Sequence, residues 1–130
     1  MRHLAQTCTW LALLLASLPT ARAEHVACQV TYGGETQTLT ASPGDSSYNV
    51  PDSEIGSYYL FRIVARNAPA DLASIKLYTY AKLPSGRSLV HQATHPWPVS
   101  NTSPYGFTGQ HFVYEPRYGA ELQYWCEVRK

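Results

Sequence analysis

Two stretches near opposite ends of the chain alternate in side-chain character with a period of two. In Val26–Tyr32, the residues Val26, Cys28, Val30 and Tyr32 share one face, and Ala27, Gln29 and Thr31 share the other. Glu121–Val128 repeats the pattern, with Trp125 on the face opposite Cys126. A period of two is the mark of a strand with one side against a core and one against water. The strongest such segment is Tyr58–Arg66, where Tyr59, Phe61, Ile63 and Ala65 make an apolar face and Arg62 and Arg66 mark its reverse. Next, Ile75, Leu77, Thr79, Ala81 and Leu83 alternate with Lys76, Tyr78, Tyr80 and Lys82. Pro84-Ser85-Gly86-Arg87 then turns the chain, and Ser88–Thr94 returns as the second arm of a hairpin.

Weaker segments fill the intervals. Gly33-Gly34 can take the positive φ angles of a tight hairpin turn, and Thr36–Ser42 is its return strand. That strand has only Leu39 as a strongly apolar residue, so it belongs at an edge or faces water. Pro43–Ser47 is a turn cluster, and 48–52 is at most a short edge piece. Asn67–Asp71 is a loop, and Asp71–Ser74 can make one helical turn. Gln110–Glu115 is a further strand, and Pro116–Ala120 is a turn. About seven short strands separated by turn signals predict an all-β fold, a single antiparallel β-sandwich of immunoglobulin-like type over residues 24–130, with a small β-barrel as the alternative. Over residues 24–130, ten tyrosines, and no runs of Ala, Leu, Glu and Lys, agree with sheet rather than helix.

Residues 1–23 have the form of a secretory signal peptide. Arg2 and His3 precede the apolar run Trp10–Leu18, Pro19 breaks it, and Ala21-Arg22-Ala23 offers a small-x-small cleavage site. The run is about half the length that spans a bilayer, so no membrane span is expected. The mature chain is then expected in a secreted or periplasmic location. A lipidated Cys28 is the rival reading, against which Glu24 and His25 put polar groups where an apolar lead-in belongs. Cleavage removes two of the ten basic residues, leaving eight against nine acidic and a formal charge of −1. That balance gives no reason to expect a nucleic-acid partner.

Cys8 goes with the leader. Cys28 and Cys126 are left as the one internal pair, which predicts a disulfide between the first and last strands. With no Cys-x-x-Cys spacing, the pair reads as structural rather than redox-active.

Candidate chemistry is sparse. There is no Gly-x-Ser-x-Gly elbow, and the carboxylates are scattered, with Asp52 and Glu54 the closest acidic pair. The chain is therefore expected not to be an enzyme, and to need no cofactor. The longest irregular segment, 95–109, holds Trp97, Tyr105 and Phe107 among prolines and glycines. Such a loop either packs on the sandwich or is displayed for binding, and its sequon Asn101-Thr102-Ser103 could carry a glycan in a eukaryotic secretory route. These features point to an interaction module that takes a protein or peptide partner through the 95–109 loop. One alternative is a carbohydrate-binding module using those rings or the Tyr78/Tyr80 face. Another is copper or zinc held by His91, His95 and His111, which flank the loop.

Overall fold

A computed structural model describes residues 17–18, 23–46 and 50–130. Most of the signal-peptide reading therefore lies outside the described residues. Among the described residues, eight strands form two four-stranded antiparallel sheets, the architecture of a β-sandwich. In chain order they are β1 (His25–Tyr32), β2 (Glu35–Ala41), β3 (Ser53–Ile55), β4 (Tyr59–Arg66), β5 (Ser74–Leu83), β6 (Gly86–Pro96), β7 (His111–Tyr114) and β8 (Glu121–Arg129). A single 3-10 turn, Ala70–Leu72, precedes β5. The first sheet has the order β2-β1-β8-β7, and the second is the meander β3-β4-β5-β6. The strand beyond the seven expected is β3, whose three residues are too few for alternation to reveal.

Gly33 and Gly34 link β1 to β2 with φ angles of 61° and 81°. Two consecutive positive φ values give the turn whose twist suits a two-residue hairpin. The core lies between the inner faces that alternation had marked. Val26, Cys28, Val30, Leu122, Tyr124 and Cys126 come from the first sheet, and Tyr59, Phe61, Ile63, Ala65, Ile75 and Leu77 from the second. Phe61 and Tyr124 meet across the layers with ring centroids 5.1 Å apart. The Tyr59 hydroxyl reaches from the second sheet to the backbone carbonyls of Val113 and Ala120 in the first. Burial pushes its pKa up to about 12, so it acts as a neutral donor that pins the β7–β8 hairpin to β4.

Cys28 and Cys126 stand directly opposite one another in the β1–β8 ladder and are bonded. The bridge thus lies within one sheet, between neighbouring strands. The Cys126 backbone groups point away from β1, toward the 101–109 segment. The two cysteines therefore occupy a non-hydrogen-bonded pair, where facing side chains approach most closely.

One irregularity decides where several side chains point. Thr79 pairs with His91 and Tyr80 with Leu89, so Val90 is an extra residue in β6. Such a bulge reverses the in–out phase of everything beyond it. Here it turns His91, Ala93 and His95 toward the inner face, where strict alternation from the Pro84–Ser85 turn would have sent them outward.

Candidate functional site

β7 pairs with β8 only from Glu121 to Tyr124. Past that point the crossover from β6 takes its place along the β8 edge. Phe107 N–H donates to the Cys126 carbonyl at 3.0 Å, and Cys126 N–H donates to Thr108 Oγ1 at 2.9 Å. Asn101 completes the ladder with its side chain, accepting from Val128 N–H at 2.9 Å and donating to the Val128 carbonyl at 3.0 Å. An edge that would otherwise expose unpaired backbone groups is thereby covered. The amide of the sequon residue is committed to β8. A tight bend at Ser103–Gly106, closed by backbone bonds in both directions, sets the spacing.

This arrangement divides the aromatic residues of the loop. Phe107 is 9% exposed and belongs to the core, and Trp97 lies half-buried against it. Tyr105 turns outward, 45% exposed, with its ring 6.1 Å from Trp125 at 72°. The loop is buried at Gly106 and Phe107 and exposed over 100–105, and of its three rings Tyr105 is the exposed one.

Tyr105 and Trp125 open onto the outer face of the first sheet. Phe112 and Tyr114, 53% and 57% exposed, lie on this face in β7. Between and beside the rings are Gln123, Gln29, Thr31, Thr36 and Thr38, at outward positions of β8, β1 and β2. The amides and hydroxyls join in short links: Gln110 to Gln123 at 3.1 Å, Thr38 to Gln29 at 2.9 Å, and Thr31 to Thr36 at 2.8 Å. The carboxylates here have partners. Glu121 accepts from Tyr114 and Gln123, both at 2.6 Å, and those bonds hold its pKa below the usual value, the Tyr114 bond contributing most. Glu127 is paired with Arg129. Sequence reading missed Phe112 and Tyr114 as site residues, because in a four-residue strand rich in apolar side chains the phase is ambiguous. The register His111↔Tyr124 resolves it by assigning His111 and Val113 inward.

The outer face of the second sheet is different in character. Tyr78 and Tyr80 lie half-buried with ring planes 8° apart and centroids 6.2 Å apart. Arg62 lies over Tyr78 at 5.7 Å and Arg87 over Tyr80 at 4.6 Å. Arg87 also pairs with Asp52, and Lys82 with Glu54. Guanidinium groups thus occupy ring faces that a stacking ligand would need.

The three histidines meet where β6 and β7, the outermost strands on the same side of the two sheets, come together. The rings of His91 and His111 are 5.2 Å apart. One nitrogen of each ring is engaged with protein: His91 Nε2 with the Tyr124 hydroxyl at 2.8 Å, and His111 Nε2 with the Thr108 carbonyl at 3.1 Å. His95 sits edge-on to Phe107 at 5.2 Å. Among the described residues, no group of three or more His, Cys, Asp or Glu side chains is arranged to hold a metal ion.

Glu115 is buried at the start of the β7–β8 turn. Its carboxylate accepts from the backbone N–H of Arg117, Tyr118 and Ala120 at 2.7, 2.6 and 3.1 Å. Burial acts to raise its pKa, but the backbone donors outweigh it and hold the group below its ordinary 4.5. A depressed folded-state pKa means that this group stabilises the fold above the unfolded value and ceases to as pH falls through the folded one. Glu115→Gln should therefore lower the urea midpoint at about pH 7, with the gap from wild type narrowing at a pH taken below the ordinary 4.5 and through the folded-state value. An equal gap at both pH values would show that the carboxylate charge does not organise the turn.

Comparisons with protein-family models, with curated proteins and with solved structures find no match to this chain.

Proposed function

We propose that this protein is an exported, non-enzymatic binding domain that takes a neutral glycan chain across the outer face of its first sheet. The observation that carries the reading is the set of outward rings Tyr105, Phe112, Tyr114 and Trp125, set among glutamine and threonine side chains whose neighbouring carboxylates are all partnered. Sugar rings present C–H faces that pack on aromatic rings, and hydroxyls that exchange hydrogen bonds with amides and alcohols. The cationic second face, with its covered tyrosines, lacks this combination.

Two further features support the reading. A cleft of about 130 Å³ between β2 and the 50–53 segment is lined, among the described residues, by Leu39, Thr40, Val50, Pro51, Ser53, Phe61 and Ile63, none of them titratable, so these side chains supply no acid–base pair. The leader-like sequence and a disulfide, a bond that persists in oxidising compartments, fit export. No helix among the described residues is long and apolar enough to cross a membrane. A protein or peptide partner gripping the same surface is the second reading, favoured by the exposed Tyr105 beside Trp125.

Affinity electrophoresis through gels containing soluble β-glucan, mannan, xylan or galactan tests the proposal. Retardation by at least one polysaccharide is expected, weakened about tenfold or more in Trp125→Ala and Tyr105→Ala, equivalent to about 1.4 kcal/mol or more per ring. Retardation unchanged in both variants, or absent with every polysaccharide, would sink the glycan reading.

A further inference from the structure

The seam between β6 and β7 holds an unusual set of groups for a place where two sheets close on each other. His91 and His95 come from β6, and His111 from β7. The Tyr124 phenol comes from β8, Thr79 lies opposite His91 on β5, and Phe107 and Thr108 come from the crossover. His111 lies flat on Tyr124, with centroids 5.0 Å apart and planes 20° apart. The buried Tyr124 hydroxyl has His91 Nε2 as its partner. A buried phenol needs an acceptor for its proton, which assigns the lone pair of the neutral imidazole to that nitrogen. His95 Nε2 and Thr79 Oγ1 are buried without a hydrogen-bond partner.

We infer that this seam is an acid-released clasp: protonation of His91 and His95, which pack beside His111, parts β6 from β7 and frees the crossover between them, while the Cys28–Cys126 bond keeps the terminal strands joined. Three observations carry the inference. Protonating His91 removes the acceptor of the Tyr124 hydroxyl. Protonating His95 places a charge on a ring whose buried Nε2 has nothing to accept its proton. Charging His91 sets a cation 5.2 Å from the His111 ring, and the hydrogen-bond partners of the two rings, the Tyr124 hydroxyl and the Thr108 carbonyl, bring no carboxylate to offset it.

The electrostatics run in the same direction. Burial lowers the pKa of His91 and of His95 from the ordinary 6.5, and the charge of His111 lowers both further. A folded-state pKa below the unfolded value means the unfolded or opened chain takes up protons first as pH falls. The stabilisation is therefore complete above 6.5 and is lost as pH drops below it through the folded values. This window lies above that of Glu115, whose contribution fades only below its ordinary 4.5. The clasp does not depend on what the outer face binds. The bulge at Val90, which turns His91 and His95 inward, is the feature of the fold that creates it.

Amide hydrogen exchange on the oxidised full-length mature protein tests the clasp, with rates at about pH 7 and about pH 5 corrected for intrinsic chemistry. Amides of 86–96 and 111–114 should lose protection by about tenfold or more relative to β1 and β4, one pKa unit being a factor of ten. In His111→Gln, which removes the neighbour shared by the other two rings, the loss should shrink. Two results overturn the inference: equal changes in β6, β7, β1 and β4, or an undiminished loss in His111→Gln. Should that variant fail to fold, imidazole proton resonances of the wild type decide. His91 and His95 titrating below 6.5 support the clasp, and titration at or above that value rules it out.

Discussion

Replacing both Cys28 and Cys126 with alanine should remove a large share of the stability of this domain. The two residues are separated by 98 positions, and closing a loop of that size restricts the unfolded chain by about 4.7 kcal/mol in the chain-entropy account. Whole domains are stable by about 5–15 kcal/mol, so the loss takes from about a third to nearly all of that stability. The structure makes the dependence plausible on its own terms. β1 and β8 form the ladder of longest sequence separation in the chain, with eight paired positions from His25↔Arg129 to Tyr32↔Leu122. Bringing those ends together is the costliest loop closure that folding requires. Urea denaturation of the double variant, and of the wild type with and without reductant, measures the effect. A loss under about 1 kcal/mol would mean the β1–β8 pairing holds without its covalent tie.

What the sequence makes legible here is what period-two alternation and elimination can reach. The inner faces of β1, β4, β5 and β8 follow from the spacing of Val26, Phe61, Leu77, Tyr124 and their neighbours, because each strand is long enough to show its phase. The disulfide follows once Cys8 is assigned to the expected leader, which leaves one pair. Four things lie beyond that logic. β3 has three residues and no phase to read. The bulge at Val90 is a change of register between two strands, and nothing in Ser88–Thr94 read alone signals where the phase flips. Consequently, the inward aim of His91 and His95 was not available from spacing. The outward aim of Phe112 and Tyr114 likewise depends on which residues of β8 they oppose. The 95–109 segment was recognised as long and aromatic, but its packing depends on contacts from Asn101, Phe107 and Thr108 to β8, up to 27 residues away.

Gly106→Ala is expected to be the most damaging single change in that crossover, and the reason is a close approach of backbone to backbone. Gly106 has a φ of 65°, and a Cβ built there would lie 2.0 Å from the Cys126 carbonyl oxygen, 2.7 Å from its carbon and 2.9 Å from Glu127 Cα. None of these atoms can swing aside as a flexible side chain could, so either the Ser103–Gly106 bend or the β8 edge must move. Moving the bend breaks the bond from Phe107 N–H to Cys126 and draws Phe107 out of the core. The positive φ adds strain of its own, about 1–3 kcal/mol for a non-glycine residue. Together these should cost about 3 kcal/mol or more, in the range reserved for structural clashes and lost core contacts. Gly109 supplies the control within the same segment, because its φ is 71° but a Cβ there meets nothing within 4 Å. Gly109→Ala carries the backbone strain without the collision. If urea midpoints place Gly106→Ala well below Gly109→Ala, the difference measures how firmly the crossover is seated on β8. Equal losses would mean that the crossover yields at little cost, and that Tyr105 is held beside Trp125 by something other than this contact.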